Sequence, residues 1–479
     1  MMEETADGKL ALPLGPSPEW GADDVKEAVG RNPSFQLAAA HRLARDLRAA
    51  AKLLGEPADP SFMRQMIGFW LWDKMGNKVP FDFPVRCNLN GEFFQLGFHS
   101  ERFTDELIED VYGLDKYGYG YKNIGQMNSG LSTTAGGIEK KTPDDGNEKD
   151  YTVLRETLTN PMHALGVDSP CNDNEGLTKF VVESFNLPAW LNYIASARIT
   201  HEMDDVWANI SGYYDDAQML EGKRGTATWM PLGYDFNVSF GQYYHDGIDL
   251  RSQNVLMANQ DWFKSHPFYG GEMVRCHSSE SAIGTSKNLV NDGNRGIEAV
   301  LQSSKFRRLY LRRLRTLMGQ ELKAPGTPES KVPFMVKMRE MAELMKEDAV
   351  LDHDKYGKGK NGWNSSFGAI DSWGEANWPA TISNGVDNIW EKYVVPRREH
   401  LYVTHSVTNT SKEVGYGETL NAGIPLAQKP LDALKEGLSA ETVDGGIVIR
   451  NANDEAVDLS GWDVTGPVVM KLPAGTVVD

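Results

Sequence analysis

Two clusters of acidic and amide side chains near the middle of the chain have the composition of a site for phosphate chemistry. The first cluster contains Asp204, Asp205 and Asn209, and the second contains Asp235 and Asn237. Mg²⁺ prefers hard oxygen ligands and takes only one or two carboxylates from a protein. Phosphoryl transfer needs such an ion on the phosphate oxygens and an acceptor hydroxyl held in line with the phosphorus. These residue types could therefore supply metal ligands and a carboxylate that orients a hydroxyl.

The spacing within these clusters matches a known arrangement. Asp204 and Asn209 are separated as Asp-x-x-x-x-Asn, the spacing of a protein kinase catalytic loop. Asp235-Phe236-Asn237 follows where the second metal-binding segment of such a site would lie. Because Asp and Asn are also common in turns, the spacing by itself favours ordinary loop residues over a catalytic loop. The surrounding sequence has to distinguish these two interpretations.

The whole-chain composition sets limits on the class of protein. A chain of 479 residues is long enough for two or three domains, and its net charge is −18. Such an acidic chain is a poor candidate for nucleic-acid binding, whereas a basic acceptor protein would be attracted to it. Its three cysteines have neither a zinc-binding spacing nor a disulfide framework. No apolar run is long enough for a transmembrane helix, and the first residues lack a signal-peptide pattern.

The first part of the chain alternates helical and strand patterns. A helix is predicted over residues 34–55, and a second helix begins after Asp59 and ends at Gly76. Residues 84–98 predict a β-hairpin, because Asn90-Gly91 is the pair that favours a type I′ turn. A helix is then expected over residues 101–115. Residues 126–150 have the Gly-, Ser- and Asp-rich composition of a mobile insertion.

The rest of the chain is mainly helical up to about residue 406. Residues 151–200 and most of 246–340 predict helices, including a strongly basic one over 305–322 whose charged face should be solvated. The helix over 331–357 carries a stripe of methionines expected in the core. Another helix covers residues 382–403. Residues 407–444 look like a linker, and 445–479 predict short strands.

Several ordered motifs together resemble the CotH-type atypical protein kinases, the spore coat protein H family. The resemblance extends from about residue 58 to 405 and includes the segments ADPSFMRQMIGFWLWDKMG, FPVRCNLNGEFFQLGFHSERF and GYGYKNIG. Its most specific part is HEMDDVWANISGYYDD followed by WMPLGYDFNVSFG. The C-terminal IRNANDEAVDLSGW and LPAGTVV are similar to the start of a lamin-tail-like domain. Only part of such a β-sandwich is present, since a sandwich normally needs about 100 residues.

The resemblance implies an α+β, atypical protein-kinase-like fold with a mostly helical C-lobe. It divides the chain into an N-terminal segment (1–57), a kinase-like domain (58–406), a linker (407–444) and a partial lamin-tail-like domain (445–479). The N-lobe is expected to be incomplete, because the strands that open this family are not recognisable before residue 58. Without them the phosphates would lose a cover and a cation. The second loop is also two residues longer between Pro231 and Asp235 than the common family form.

The resemblance also assigns roles to residues in the two clusters. It makes Asp204 the catalytic residue, with Asp205 as the alternative. It makes Asn209 and Asp235 metal ligands, assisted by Asn237. The expected cofactors are ATP and Mg²⁺ or Mn²⁺.

Three further residues match family positions in the nucleotide-binding region. Lys122 is expected to contact phosphate and Glu101 to line the nucleotide cleft, while Arg64 has no specific expected role. An ordinary salt bridge explains each of these residues equally well.

Two functions from different classes fit these expectations. The first is a kinase that phosphorylates Ser or Thr of a partner protein, and the second is a non-catalytic surface or adhesion protein on the same scaffold. A different nucleotide-dependent transfer is a third alternative, because fold does not fix chemistry. The family suggests an extracellular or cell-surface location, and the C-terminal strands could contact a surface partner.

Overall fold

The computed structural model describes the chain in a series of segments. These are residues 3–4, 10–11, 52–54, 59, 61–125, 127, 138–167, 174–202, 209–215, 227–237, 239–241, 267–268, 294–356, 382–409, 423–443, 446–465 and 469–479. The predicted catalytic residues Asp204 and Asp205 lie outside the described residues, as does most of the helix predicted over 34–55.

A three-stranded antiparallel sheet forms the first layer. The strands are β3 (Lys52–Leu54), β4 (Asp82–Leu89) and β5 (Glu92–Ser100), in the order β3-β5-β4, and a separate pair joins β1 (Glu3–Glu4) to β2 (Leu10–Ala11). The predicted hairpin is confirmed, since Asn90 and Gly91 at its turn have φ angles of 53° and 80°. Lys52–Leu54 was predicted to end a helix, and that prediction is wrong because these residues pair with the end of β5.

A four-stranded antiparallel sheet carries the two sequence clusters. Its strands are β6 (Tyr119–Lys122), β7 (Glu139–Thr142), β8 (Ile210–Tyr214) and β9 (Trp229–Gly233), in the order β7-β6-β8-β9. Strand β7 lies inside the insertion predicted to be mobile, and it is ordered by pairing with β6. The helix predicted over 101–115 is reduced to one π-helical turn, Leu107–Val111.

Helices surround and join these sheets. Helix α1 (Arg64–Lys74) is followed by Gly76 with φ of 92°, as predicted for a helix stop. The other described helices through residue 356 are α2 (152–164, from Thr152–Leu154, Arg155–Thr159 and Asn160–Ala164), α3 (Glu175–Ser184), α4 (Leu187–Thr200), α5 (Arg295–Leu301), α6 (Ser304–Leu317, continued by the turn Met318–Leu322) and α7 (Pro333–Tyr356). A separate short turn, Glu329–Lys331, lies between α6 and α7.

The last long helix, α8, covers residues 382–404. It is assembled from Ile382–Ile389, Trp390–Val394, Val395–Glu399 and His400–Thr404, with α-helical and π-helical turns alternating. A short helix α9 (Leu431–Leu434) and the turn Lys435–Gly437 come after it. Of the described helices, none has the length and apolarity that crossing a membrane requires.

Helix α4 lies at the centre of the main hydrophobic core. Its residues from Trp190 to Thr200 are all buried, so this part of the helix is enclosed by protein on every side. Trp72 of α1 packs edge-on against Tyr193 of α4, with ring centroids 4.8 Å apart. The predicted core methionines of α7 are confirmed, because Met335, Met338, Met341 and Met345 are all buried.

Part of the basic face of α6 is buried, which corrects the prediction of a solvated face in part: three arginines lie in the interior, whereas Lys305 and Arg308 are exposed. Arg307, Arg312 and Arg313 are each less than 5% exposed. The Arg313 guanidinium donates to Asn192 Oδ1 at 2.8 Å and to Asp458 Oδ2 at 3.1 Å. These arginines are stable in the interior because carbonyl and carboxylate oxygens satisfy them, a partnership that the local charge pattern cannot show.

The C-terminal strands contact α6 through this ion pair and contain a small apolar cluster of their own. They form the ladders β10–β11, β12–β15 and β13–β14. Leu434, Val457, Leu459 and Leu472 are buried together between them. The bounds are β10 (Leu438–Val443), β11 (Gly446–Asn451), β12 (Val457–Asp458), β13 (Asp463–Val464), β14 (Met470–Lys471) and β15 (Val477–Val478). Strand β10 falls within the predicted linker, so strand structure begins before residue 445.

The described architecture agrees with the α+β class. Both larger sheets are antiparallel, and the helices lie mostly in separate stretches of sequence.

Candidate functional site

Pairing of β8 with β9 brings the two sequence clusters together. The register sets Ile210 opposite Gly233, so Asn209 before β8 and Asp235 after β9 lie at the same end of the ladder. The Asn209 side-chain amide donates to the backbone carbonyl of Asp235 at 3.3 Å. The two residues predicted to hold metal are therefore neighbours in space, although 26 positions separate them in sequence.

A buried aromatic ring fixes the loop that carries Asp235. Phe236 is 1% exposed and packs against Trp72 and Phe69 of α1, with ring centroids 4.4 and 4.8 Å away. Asp235 itself has φ of 63°, a left-handed conformation that Asp tolerates better than most residues. The anchor turns the Asp235 side chain away from the core and leaves it partly exposed.

Gly233, directly before this loop, is required by the same anchor. A Cβ atom at position 233 would lie 2.6 Å from the Phe236 ring and 3.2 Å from Trp72. Glycine therefore allows the strand and the ring to approach closely.

The oxygens around Asp235 fit a hard divalent cation. The buried Oδ1 of Asn237 accepts no hydrogen bond from the described part of the chain. A buried amide oxygen without a donor is costly, and a cation would satisfy it. The described residues contain no group of three or more Asp, Glu, His or Cys side chains arranged for metal binding. A Mg²⁺ site built from one or two carboxylates and amide oxygens needs no such group.

Asp82, at the start of β4, is a second carboxylate close to Asp235. It is 4% exposed, and its Oδ2 accepts from Gln65 Nε2 at 2.9 Å and from the Ser100 hydroxyl. Burial, with a smaller contribution from the charge of Asp235, raises the pKa of Asp82 to about 6 despite those two hydrogen bonds. Sequence reasoning missed Asp82, because it lies 153 positions before Asp235 and only the fold brings them near.

Lys122 lies on the side of the site formed by β6. Its Nζ is 4.3 Å from the ring centroid of Tyr234, the residue before Asp235. Burial, followed by the charge of Asp235, raises the pKa of Tyr234 to about 12, whereas the nearby charge of Arg102 opposes the rise. Arg102 is exposed. Two cations, Lys122 and Arg102, thus lie around Tyr234, and sequence reasoning identified only the first.

Glu101 lies beside Asp82 and contacts backbone. Its Oε2 accepts from the Phe81 amide at 2.7 Å, and its own amide donates to the Phe81 carbonyl at 3.3 Å. The side chain is 7% exposed. This geometry makes Glu101 a residue that fixes the start of β4, and with it Asp82.

Arg64 is fully buried and supports the Asp235 loop from behind. It forms an ion pair with Asp59, and its Nε donates to the Ser239 carbonyl at 3.0 Å. Burial lowers the pKa of Arg64, and the charge of Asp59 opposes that change. Arg64 therefore joins the start of α1 to the loop that follows Asn237. The salt-bridge interpretation describes this geometry well.

The end of α4 precedes the loop that contains Asp204 and Asp205. Its terminal carbonyls are bound by other elements: Arg397 Nη2 donates to the Arg198 carbonyl at 3.0 Å, and the Tyr393 hydroxyl donates to Ile199 at 2.7 Å. The Phe240 amide donates to the Thr200 carbonyl at 2.6 Å. Tertiary contacts therefore replace water at the helix terminus.

His201 turns the chain out of α4. Its φ is 54°, and its two ring nitrogens have no hydrogen-bond partner among the described residues. Burial, followed by the charges of Arg397 and Arg198, holds the pKa of His201 well below its usual value. The imidazole is therefore neutral at physiological pH and acts as a packed ring.

Comparison with known protein families supports one assignment. The model of the family described as CotH kinase protein matches residues 41–341, more than half of the chain. The match begins earlier than the motifs recognised from the sequence and includes β3 as well as both clusters. No curated protein matches the chain.

Proposed function

Since the chain belongs to the CotH kinase family, we propose that it is an ATP-dependent protein kinase that phosphorylates Ser or Thr of a partner protein. The main support is the direct contact between Asn209 and Asp235 at the shared end of β8 and β9. In protein kinases an Asn of the catalytic loop and an Asp of a following loop hold the metal ions. The same two residue types occur here in the same order.

Each residue of the site would have a separate role in phosphate transfer. The acceptor hydroxyl oxygen attacks the γ-phosphorus, the bond to the ADP oxygen breaks, and the hydroxyl proton goes to the carboxylate of Asp204 or Asp205. Bound Mg²⁺ or Mn²⁺ would neutralise charge on the phosphate oxygens. Asp235, Asn209 and Asn237 would hold that ion. Lys122 would contact phosphate, because its Nζ lies against Tyr234, beside Asp235.

The surrounding residues would keep these groups in position. Phe236 and Arg64 fix the Asp235 loop from the core side, and Glu101 fixes the start of β4. A preorganised arrangement of this kind avoids reorganisation during the reaction. Glu101 and Arg64 would act through the residues they support.

The acceptor is proposed to be a basic protein. The chain carries a net charge of −18, which attracts basic partners over distances up to about a Debye length. The exposed residues of β10, Ser439–Val443, form a further surface for a partner, since among the described strands β10 pairs only with β11.

A transfer assay tests the proposal. The parent protein, incubated with γ-labelled ATP, Mg²⁺ and protamine supplemented with a Ser- and Thr-rich peptide, should label the acceptor. Asp235→Asn keeps the size of the side chain but removes its charge, and it should reduce the rate by about 100-fold or more. Asp432→Asn is a matched control, because that carboxylate is 91% exposed on α9.

Two results would contradict the proposal. The first is an Asp235→Asn variant that transfers phosphate at the parental rate. The second is a folded parent that transfers none to any acceptor or to itself, which would favour the non-catalytic scaffold.

A further inference from the structure

A cavity separate from the candidate phosphate site lies between α8 and the turn that precedes α7. Its volume is about 720 Å³, within the range of small-molecule pockets. Much of its wall is apolar. The main wall residues are Pro325, Pro328, Trp390, Val395, Pro396 and Arg398.

Arg398 is the unusual member of this wall. It is 2% exposed, and its guanidinium stacks over the Trp390 ring at 4.7 Å. Nε donates to the Leu322 carbonyl at 2.7 Å and Nη1 donates to the Thr327 carbonyl at 2.9 Å. The remaining nitrogen, Nη2, is buried and has no hydrogen-bond partner in the part of the chain that the structure describes.

Within the described ranges, the charge of Arg398 also lacks an anionic partner. No described carboxylate forms an ion pair with it, in contrast to Arg312 and Arg313, which bind Glu455 and Asp458. A buried cation is costly unless an anion accompanies it. Neither N–H group of Nη2 has an acceptor among the described residues.

We propose that this cavity binds a small organic carboxylate whose apolar body packs on Trp390 and the prolines. One carboxylate satisfies Nη2 and supplies the missing charge. Glu399 also lines the cavity, and its negative charge disfavours ligands with several charges, such as nucleotides. The proposal does not depend on phosphate transfer, because no predicted site residue lines this cavity.

A matched pair of probes tests the charge requirement. Binding of 3-phenylpropionate and of its neutral amide to the full chain is measured by saturation-transfer NMR at constant ionic strength. The parent should bind the acid about ten-fold or more tightly than the amide, since hydrogen bonds between charged groups are the stronger kind. Arg398→Met keeps most of the side-chain volume and should bind the two probes equally.

Two further variants keep the test decisive. Thr404→Trp fills the cavity from α8 and should remove binding of both probes, while Arg315→Met removes a cation that stacks on Tyr402 outside the cavity and should bind as the parent does. If Arg398→Met does not fold, two results still decide whether the cavity binds a carboxylate. These are the ratio of the parent's affinities for the acid and the amide, and the binding of both probes to Thr404→Trp. The proposal is overturned if the parent binds neither probe, binds both equally, or keeps its preference in Arg398→Met or Thr404→Trp.

Discussion

Asp235 shows how one residue is set up for its proposed role by its neighbours. Its left-handed backbone is a local cost, and the burial of Phe236 directly after it offsets that cost. Removing a buried Phe side chain typically costs about 3–5 kcal/mol, far more than a strained φ angle. The ring therefore determines the loop conformation, and the carboxylate is in position before any ligand binds.

Asp352 is a buried carboxylate away from the candidate site, and it gives a prediction about the pH dependence of stability. Asp352 of α7 accepts from the Leu96 amide at 2.8 Å, and burial raises its pKa to about 6. A raised carboxyl pKa means that the folded state favours the protonated form. The stabilising contribution of Asp352 is complete below its unfolded pKa near 4 and is lost as the pH rises through 6.

Asp352→Asn should therefore become more stable relative to the parent as the pH increases. Asn stays neutral and keeps an oxygen for the Leu96 amide, so the gain between pH 4 and pH 7 should be on the order of 2 kcal/mol. Urea unfolding of both proteins at several pH values measures the difference. A difference that stays flat, as expected for the exposed control Asp432→Asn, would show that Asp352 is not perturbed.

The sequence was sufficient for residues whose partners are local. The Asn90-Gly91 turn, the end of α1 near Gly76 and the methionine stripe of α7 depend on neighbouring residues and on helical periodicity. Asp82 could not be found in this way, because only the tertiary fold brings it near Asp235. The buried arginines of α6 were misjudged for the same reason.

At the scale of elements, helix α8 supports the end of helix α4. Tyr393 and Arg397 bind two of its last three carbonyls, and Asp204 and Asp205 follow His201 closely in the sequence. Residues nearly 200 positions away thus set the direction from which the predicted catalytic loop starts. Motif spacing located this loop, but it carried no information about what holds it.

Tyr393→Phe tests this support with the smallest available change. It removes the hydroxyl that donates to Ile199, a loss of about 1 kcal/mol, and leaves the packed ring in place. Amides between 200 and 209 should exchange hydrogen faster by mass spectrometry, and the transfer rate should fall while the KM for ATP stays within about two-fold of the parental value.

Tyr402→Phe provides the comparison on the same helix, because the Tyr402 ring stacks with Arg315 and makes no contact with α4 carbonyls in the described structure. If amide hydrogen exchange is unchanged in Tyr393→Phe, or changes equally in both variants, the contact from Tyr393 does not support the end of α4.

At the scale of the whole molecule, Arg313 joins three parts of the chain. Its guanidinium contacts Asn192 of α4, the Met75 carbonyl after α1 and Asp458 of β12. The C-terminal strands are therefore tied to the helical core by a buried ion pair. The sequence indicated these strands, but their attachment depends on residues 145 positions apart.

Asp458→Ala should lower the free energy of unfolding by about 3–5 kcal/mol, because it leaves the charge of Arg313 buried without its carboxylate. Urea unfolding measures the loss. Asp454→Ala is the control from the same segment, since the Asp454 side chain is 82% exposed and its removal should leave the free energy of unfolding close to the parental value. Equal effects of the two variants would mean that the buried pair does not join the strands to the core.

We propose that ATP and a divalent metal ion bind together at the shared end of β8 and β9. Calorimetric titration of a non-hydrolysable ATP analogue, with Mg²⁺ or with EDTA, tests it most directly, because it needs no acceptor protein. We expect the parent to bind the analogue with Mg²⁺, and to lose about ten-fold or more of its affinity both in EDTA and in Asp235→Asn. Binding that is indifferent to Mg²⁺ and to Asp235, or no binding to the folded parent, would contradict the account.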